Sequence, residues 1–194
     1  MSYHLYNTRG FILQTFGTGE ADKTLRIFTE DLGMISVRAQ AVRKPTSKLR
    51  PFLRELSLVR LVVVRGKNIW RLTDVFEIAS FSSKKSPERV KLSAFMFSLV
   101  NRFVHGEEDN AKLFSVLVDA YEFLSSEVFT EDELVNFEAL VALKILASLG
   151  YVGEDPELKP FLCKPFSKEI LKEFISVRRD AVRNVNRALE ASQL

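Results

Sequence analysis

At 194 residues, with 28 Lys or Arg, 25 Asp or Glu and 46% apolar residues, the chain has the composition of a globular protein of one large or two small domains. Its longest apolar runs, such as Leu61–Val64, are too short to cross a bilayer, and Met1–Asn7 leads directly into strand-like sequence, so neither a membrane span nor a secretory leader is expected. The single Cys163 excludes an internal disulfide and a multi-cysteine zinc site, which predicts a cytoplasmic protein.

In chain order, Phe11–Phe16 reads as a strand, Gly17, Thr18 and Gly19 as a turn, and Lys23–Glu30 as a second strand. The two glycines are spaced like the start of a dinucleotide fingerprint. Asp22 stands where its third glycine belongs and no helical pattern follows, so the stretch is read as a turn. Asp31, Leu32 and Gly33 lead into a third strand, Met34–Val42, in which Ile35, Val37, Ala39 and Ala41 alternate with Ser36, Arg38 and Gln40.

The next stretch, Arg38–Arg54, carries six positive residues (Arg38, Arg43, Lys44, Lys48, Arg50 and Arg54) and no negative one. Pro45, Thr46, Ser47 and Pro51 punctuate it, which puts the charges on a loop between strands. Such a run is either a solvated loop or a phosphate-binding one. Leu56–Arg65, a turn at Gly66, Lys67 and Asn68, and Ile69–Phe81 then read as a hairpin, giving five strands in about eighty residues. That count fits a small OB-type barrel, and an SH3-like barrel fits the periodicity as well. Trp70, Phe52 and Phe76 are either core residues or base-stacking surfaces.

From Ser82 the period becomes helical. Ser86 and Pro87 signal the start of a helix running to Val104. A second follows Asp109 and Asn110, with Leu113, Leu117, Tyr121 and Leu124 on one face. A third begins at a Thr130–Glu133 capping box and stops at Leu149–Gly150; being apolar on most sides, it is the expected centre of a helical bundle. Pro156, Pro160 and Pro165 mark a linker near 152–166. Ser167 then caps a last helical segment bearing Arg179, Arg183 and Arg187, read either as a second DNA contact or as a solvated stripe paired with Asp180 and Glu190. The expected class is therefore α+β in two domains: an OB-like nucleic-acid-binding barrel at 1–81 and a helical domain at 82–194.

Charge is distributed unevenly. Residues 1–80 hold 13 Lys or Arg against 7 Asp or Glu, and the remainder hold 15 against 18. The excess points to an anionic partner for the first half, most simply nucleic acid, although charge alone does not separate DNA from RNA or anionic lipid. Two isolated histidines, one cysteine and no nucleophile motif assemble no catalytic constellation, so no enzyme is expected.

The ordered set Gly19, Glu20 and Asp22, then Phe28, Thr29, Glu30 and Gly33, then Arg43, Lys44, Ser47 and Lys48 resembles the amino-terminal barrel of the RecO family of recombination mediators. Leu149, Gly150 and Tyr151 resemble the end of that family's helical domain. The resemblance implies a non-enzymatic DNA-repair protein without cofactor. Such a protein binds single- and double-stranded DNA, anneals strands, engages a RecR-like protein and the C-terminal tail of single-strand DNA-binding protein (SSB), and assists RecA loading in the cytoplasm, at the nucleoid when on DNA. Many members carry a four-cysteine zinc module after the position of Tyr151. Here only Cys163 is present, and no metal is expected. The alternative is an RNA- or ribosome-associated OB-fold module.

Overall fold

Strands form where β-branched and aromatic residues alternate, and a computed structural model, which describes residues 4–81, 87–153 and 155–191, contains five of them. They are β1 (Leu5–Thr18), β2 (Asp22–Thr29), β3 (Gly33–Ala39), β4 (Ser57–Val64) and β5 (Trp70–Ala79). The sheet order is β1-β2-β3-β5-β4, and it closes because β4 also pairs with β1. All pairings are antiparallel except a short parallel seam between β3 and β5, Val37 opposite Trp70 and Arg38 opposite Arg71.

Closure explains where the sequence reading fell short. β1 starts at Leu5 instead of Phe11 because its first half, Leu5–Ile12, ladders against Val64–Ser57 of β4, a partner 45 to 59 residues away in the chain. Gly17 and Thr18, read as turn residues, are paired with Lys23 and Asp22, and the turn is confined to Gly19–Ala21. β3 ends at Ala39, since Ala41 takes a left-handed backbone. Inward residues Ile12, Leu25, Ile27, Val37, Leu61 and Val63 fill the interior, and Trp70 is buried among them with Tyr6 edge-on at 5.0 Å. Trp70 is thus core.

The chain divides into two compact units, Met1–Ala111 and Lys112–Leu194. The division by packing falls after the first helix, later than the change of period at Ser82. That helix, α1 (Pro87–Phe103), sets Phe97 5.1 Å from Phe11 on the outer side of β1. The expected cap at Ser86 lies outside the described residues.

α2 (Ala111–Ser126), all but its first residue in the second unit, leads to α3 (Glu131–Ser148). Phe137, Leu140, Val141, Leu143 and Leu146 of α3 are fully buried, and α4 (Lys159–Cys163), α5 (Lys168–Phe174) and α6 (Arg178–Ala191) all pack on it. The capping box forms as read: Thr130 Oγ1 accepts from Glu133 N at 3.3 Å, and Glu133 Oε2 accepts from Thr130 N at 2.9 Å. At the other end Gly150 N donates to Ala147 O and Tyr151 N to Leu146 O, the paired bonds that terminate a helix. Thr130→Ala is expected to cost about 1 kcal/mol, read as a melting temperature lower by about 3 °C. The loss stays modest because Lys168 Nζ still holds Glu133 at 2.6 Å.

The structure differs from the sequence pattern in two places. The proline segment, expected as a linker near 152–166, is packed over its second part: Leu158, Phe161 and Phe166 are buried, Pro160 sits in the first turn of α4, and Lys144 of α3 donates its ammonium to the carbonyls of Leu162 and Lys164. Burial pulls the Lys144 amine below its usual range. The segment after Ser167 is two helices, not one. Ser167 Oγ accepts from Ile170 N and caps α5, which ends after Phe174, and the arginines belong to α6. Breaking the helix lets Phe174 of α5 and Ala181 and Val185 of α6 each reach the core.

Candidate nucleic-acid interface

The basic loop between β3 and β4 is pinned at both ends by apolar side chains. Val42 and Leu53 are buried in the interior cluster, and Leu49 and Phe52 pack against it half-buried. A one-turn 3-10 helix at Arg50–Phe52 stiffens the second half. Backbone bonds finish the job: Ala41 N donates to Asp22 Oδ1 at 2.8 Å, Arg43 N to Ala21 O at 2.9 Å, and Ser47 N to Lys44 O at 3.1 Å. Between the two anchors Arg43, Lys44, Lys48 and Arg50 are exposed, and Arg54 follows them, also exposed. A loop held this way presents its cations without a large ordering cost on binding.

The six cations differ. Arg38 is not on the loop; it is an outward residue of β3, held by Asp22 through Nε at 2.9 Å and Nη2 at 2.8 Å. Asp22 is kept below the usual carboxylate range, first by the Ala41 N–H and then by Arg38. The anchor is therefore ionised at neutral pH and loosens only as acid titrates it. Arg43 donates Nη1 to Gly19 O at 2.8 Å while staying exposed. Among the described residues, Arg43, Lys44, Lys48, Arg50 and Arg54 form no salt bridge, so their charge is open to a ligand.

The arginines of α6 stand in a different setting. Arg179, Arg183 and Arg187 share an exposed face opposite buried Ala181, Val185 and Ala188. Arg183 pairs with Asp180 at 3.0 Å, and Arg183 and Arg187 line a cavity of about 550 Å³ together with Asp155, Glu157 and Asp180. Three carboxylates offset the positive stripe. Of the aromatic candidates, Trp70 is 4% exposed and donates Nε1 to Glu107, Phe52 is half-buried, and Phe76 is 55% exposed on β5 opposite Arg60. Sequence reading missed a second basic cluster, Arg65, Lys67 and Arg71, which joins Arg38 only because the sheet closes.

The motif residues have structural tasks that explain their types. Thr29, fully buried, bridges Gly33 O at 2.8 Å and Leu32 N at 3.1 Å, shaping the β2–β3 turn. Glu30 takes a two-point bond from Arg9 at 2.7 and 2.8 Å. Gly33 adopts a φ of +64°. Residues 1–81 match the family model described as "Recombination protein O N terminal". Similar curated proteins include the DNA repair protein RecO of Heliobacterium modesticaldum, 33% identical over 151 residues, which is 77% of this chain and 53% of that protein. The DNA repair protein RecO of Dehalococcoides mccartyi is 34% identical over 157 residues, 80% of this chain and 59% of that protein.

The resemblance to RecO thus holds over residues 1–81 by family model and over about four fifths of the chain by these relatives. The chain spans little more than half the length of these RecO relatives, and their shared name specifies no catalytic activity. One cysteine does not fit the four-cysteine module that the resemblance raised. Cys163 is exposed at the end of α4, and among the described residues no three His, Cys, Asp or Glu side chains converge on a metal site. Among the described residues, too, no helix is long and apolar enough to cross a membrane.

Proposed function

We propose that this chain is a RecO-type DNA-repair protein whose closed sheet is an OB-type barrel, forming one domain that a helical one follows in sequence. It binds single- and double-stranded DNA through Arg43, Lys44, Lys48, Arg50 and Arg54, with Arg38 adjoining, and promotes annealing of complementary strands. The observation that carries this reading is the pinned loop: exposed cations without salt-bridge partners among the described residues, on a chain whose first 81 residues match the RecO amino-terminal model. The strand order, with its parallel β3–β5 seam, supports the OB reading. Contacts to phosphates carry no base information, which suits a protein that acts wherever a gap occurs. Annealing then needs no catalytic group, only screening of the repulsion between two polyanions.

The family reading extends to work beside a RecR-like protein and the C-terminal tail of SSB in assisting RecA loading, in the cytoplasm and at the nucleoid. The test is fluorescence anisotropy with single-stranded DNA, duplex DNA and structured RNA. For about five phosphates contacted, log affinity for single strands falls with log salt at a slope of about 3 to 4, at about 0.7 per phosphate. A flat response sinks the electrostatic account, and preference for the RNA transfers the barrel to an RNA-associated role.

A further inference from the structure

Alternation along β1 is broken once. The ladder between β1 and β2 shifts between Ile12 and Gln14, so Leu13 is a bulge. Ile12 faces the interior opposite Ile27; without the bulge Gln14 and Phe16 would face inward as well. With it, Thr15 lies opposite buried Leu25 and Phe16 turns out to solvent, 51% exposed. An aromatic ring on the outside of a sheet is ordinary when it stands alone. Phe16 does not stand alone.

The register sets Phe16 opposite Thr24, Thr24 opposite Arg38, and Arg38 opposite Arg71. One outward row therefore crosses four strands, about 14 Å at the usual strand spacing, with an exposed ring at one end and two guanidiniums at the other. Arg26 and Gln14 flank it in the next row. The cationic end opens into a cavity of about 400 Å³ lined by Arg38, Gln40, Arg65, Lys67, Asn68 and Arg71, without a carboxylate in its lining. Two of these arginines are already held in place. Asp22 takes Nε and Nη2 of Arg38, leaving Nη1 of the five-donor fork for a ligand. Arg65 lies 4.7 Å over the Trp70 ring and bonds to Glu107.

We infer that this face is a track for single-stranded nucleic acid, on which Phe16 stacks a base and the cavity formed by Arg38, Arg65, Lys67 and Arg71 receives a backbone phosphate. The inference rests on the DNA-binding reading above and adds to it a base contact, which the basic loop does not provide. Stacking on an aromatic needs an unpaired base, so the track discriminates single strands from duplex where loop cations do not. It is indifferent to sequence, because every base has a π-face.

The test compares a thymidine oligonucleotide with an abasic one of equal length, using the full chain and anisotropy at one salt concentration. The parent is expected to bind the thymidine strand about tenfold more tightly, the size of one base–aromatic stack. Phe16→Leu keeps the apolar side chain but removes the ring; it abolishes that preference and leaves abasic binding unchanged, and Phe16→Tyr restores it. Lys67→Ala weakens both ligands alike and lowers the salt slope by about 0.7. Equal binding of the two ligands by the parent, or a Phe16→Leu variant that keeps the parent's preference, overturns the stacking platform. A Lys67→Ala variant with the parent's slope overturns the phosphate site. Should either occur while alanine replacement of Arg43, Lys44, Lys48 and Arg50 abolishes binding, the track fails and the loop reading stands. A parent that binds neither ligand removes both.

Discussion

Replacing Arg43, Lys44, Lys48 and Arg50 together by alanine is expected to lower affinity for single-stranded DNA by about 10²- to 10³-fold at 0.1 M salt. Four lost phosphate contacts reduce the salt slope by about 3, and that difference accumulates over the tenfold dilution from 1 M. The loss falls on all sequences alike, and annealing falls with it. Folding survives, because all four side chains are exposed and such substitutions cost under about 0.5 kcal/mol each, while Val42 and Leu53 still anchor the loop. Circular dichroism and a thermal melt check that point.

Triple replacement of Arg179, Arg183 and Arg187 is the control. Asp180 already pairs with Arg183, and Asp155 and Glu157 share its cavity, so the net field removed is small and binding is expected to change by less than about threefold. If the α6 variant loses binding while the loop variant matches the parent, DNA lies on the helical unit.

The sequence made the strands legible wherever one face had to be buried: the alternation of Ile35, Val37 and Ala39 against Ser36 and Arg38 survives unchanged in β3. Local chemistry was equally readable, since a capping box and a helix-ending glycine act within four residues of themselves. What escaped depends on partners distant in the chain. Leu13 is a bulge only against the β2 ladder, and nothing within Phe11–Phe16 announces it. Arg65, Lys67 and Arg71 looked like hairpin residues, and they become a cluster with Arg38 only through the parallel seam that closes the sheet. Prolines 156, 160 and 165 suggested a linker, but buried Leu158 and Phe161 and the reach of Lys144 tie that stretch to α3. The resemblance to RecO worked differently. It recovered Gly33 as a motif residue without saying what the glycine is for.

Gly33→Ala is expected to destabilise the first unit by about 3 kcal/mol or more, from two separate costs. The first is conformational, since a φ of +64° is left-handed and strains any residue with a Cβ. The second is steric. A Cβ at Gly33 would lie 2.3 Å from Glu108 O and 2.9 Å from the Glu107 carbonyl carbon, both backbone atoms that no rotamer change can move. That close approach is fixed by Met34 N donating to Gly106 O at 2.9 Å, and from it Glu107 reaches both Trp70 Nε1 and Arg65. Displacing residues 106–108 therefore releases the one tryptophan of the chain from its carboxylate, so its emission should shift to the red before global unfolding. Gly106→Ala separates the two costs: its φ is +83°, but nothing lies within 4 Å of the added carbon. That variant should lose only about 1–2 kcal/mol and keep the parent emission. If Gly33→Ala melts no lower than Gly106→Ala, the 106–108 segment does not press on the start of β3, and Arg65 is not held over Trp70 from that side.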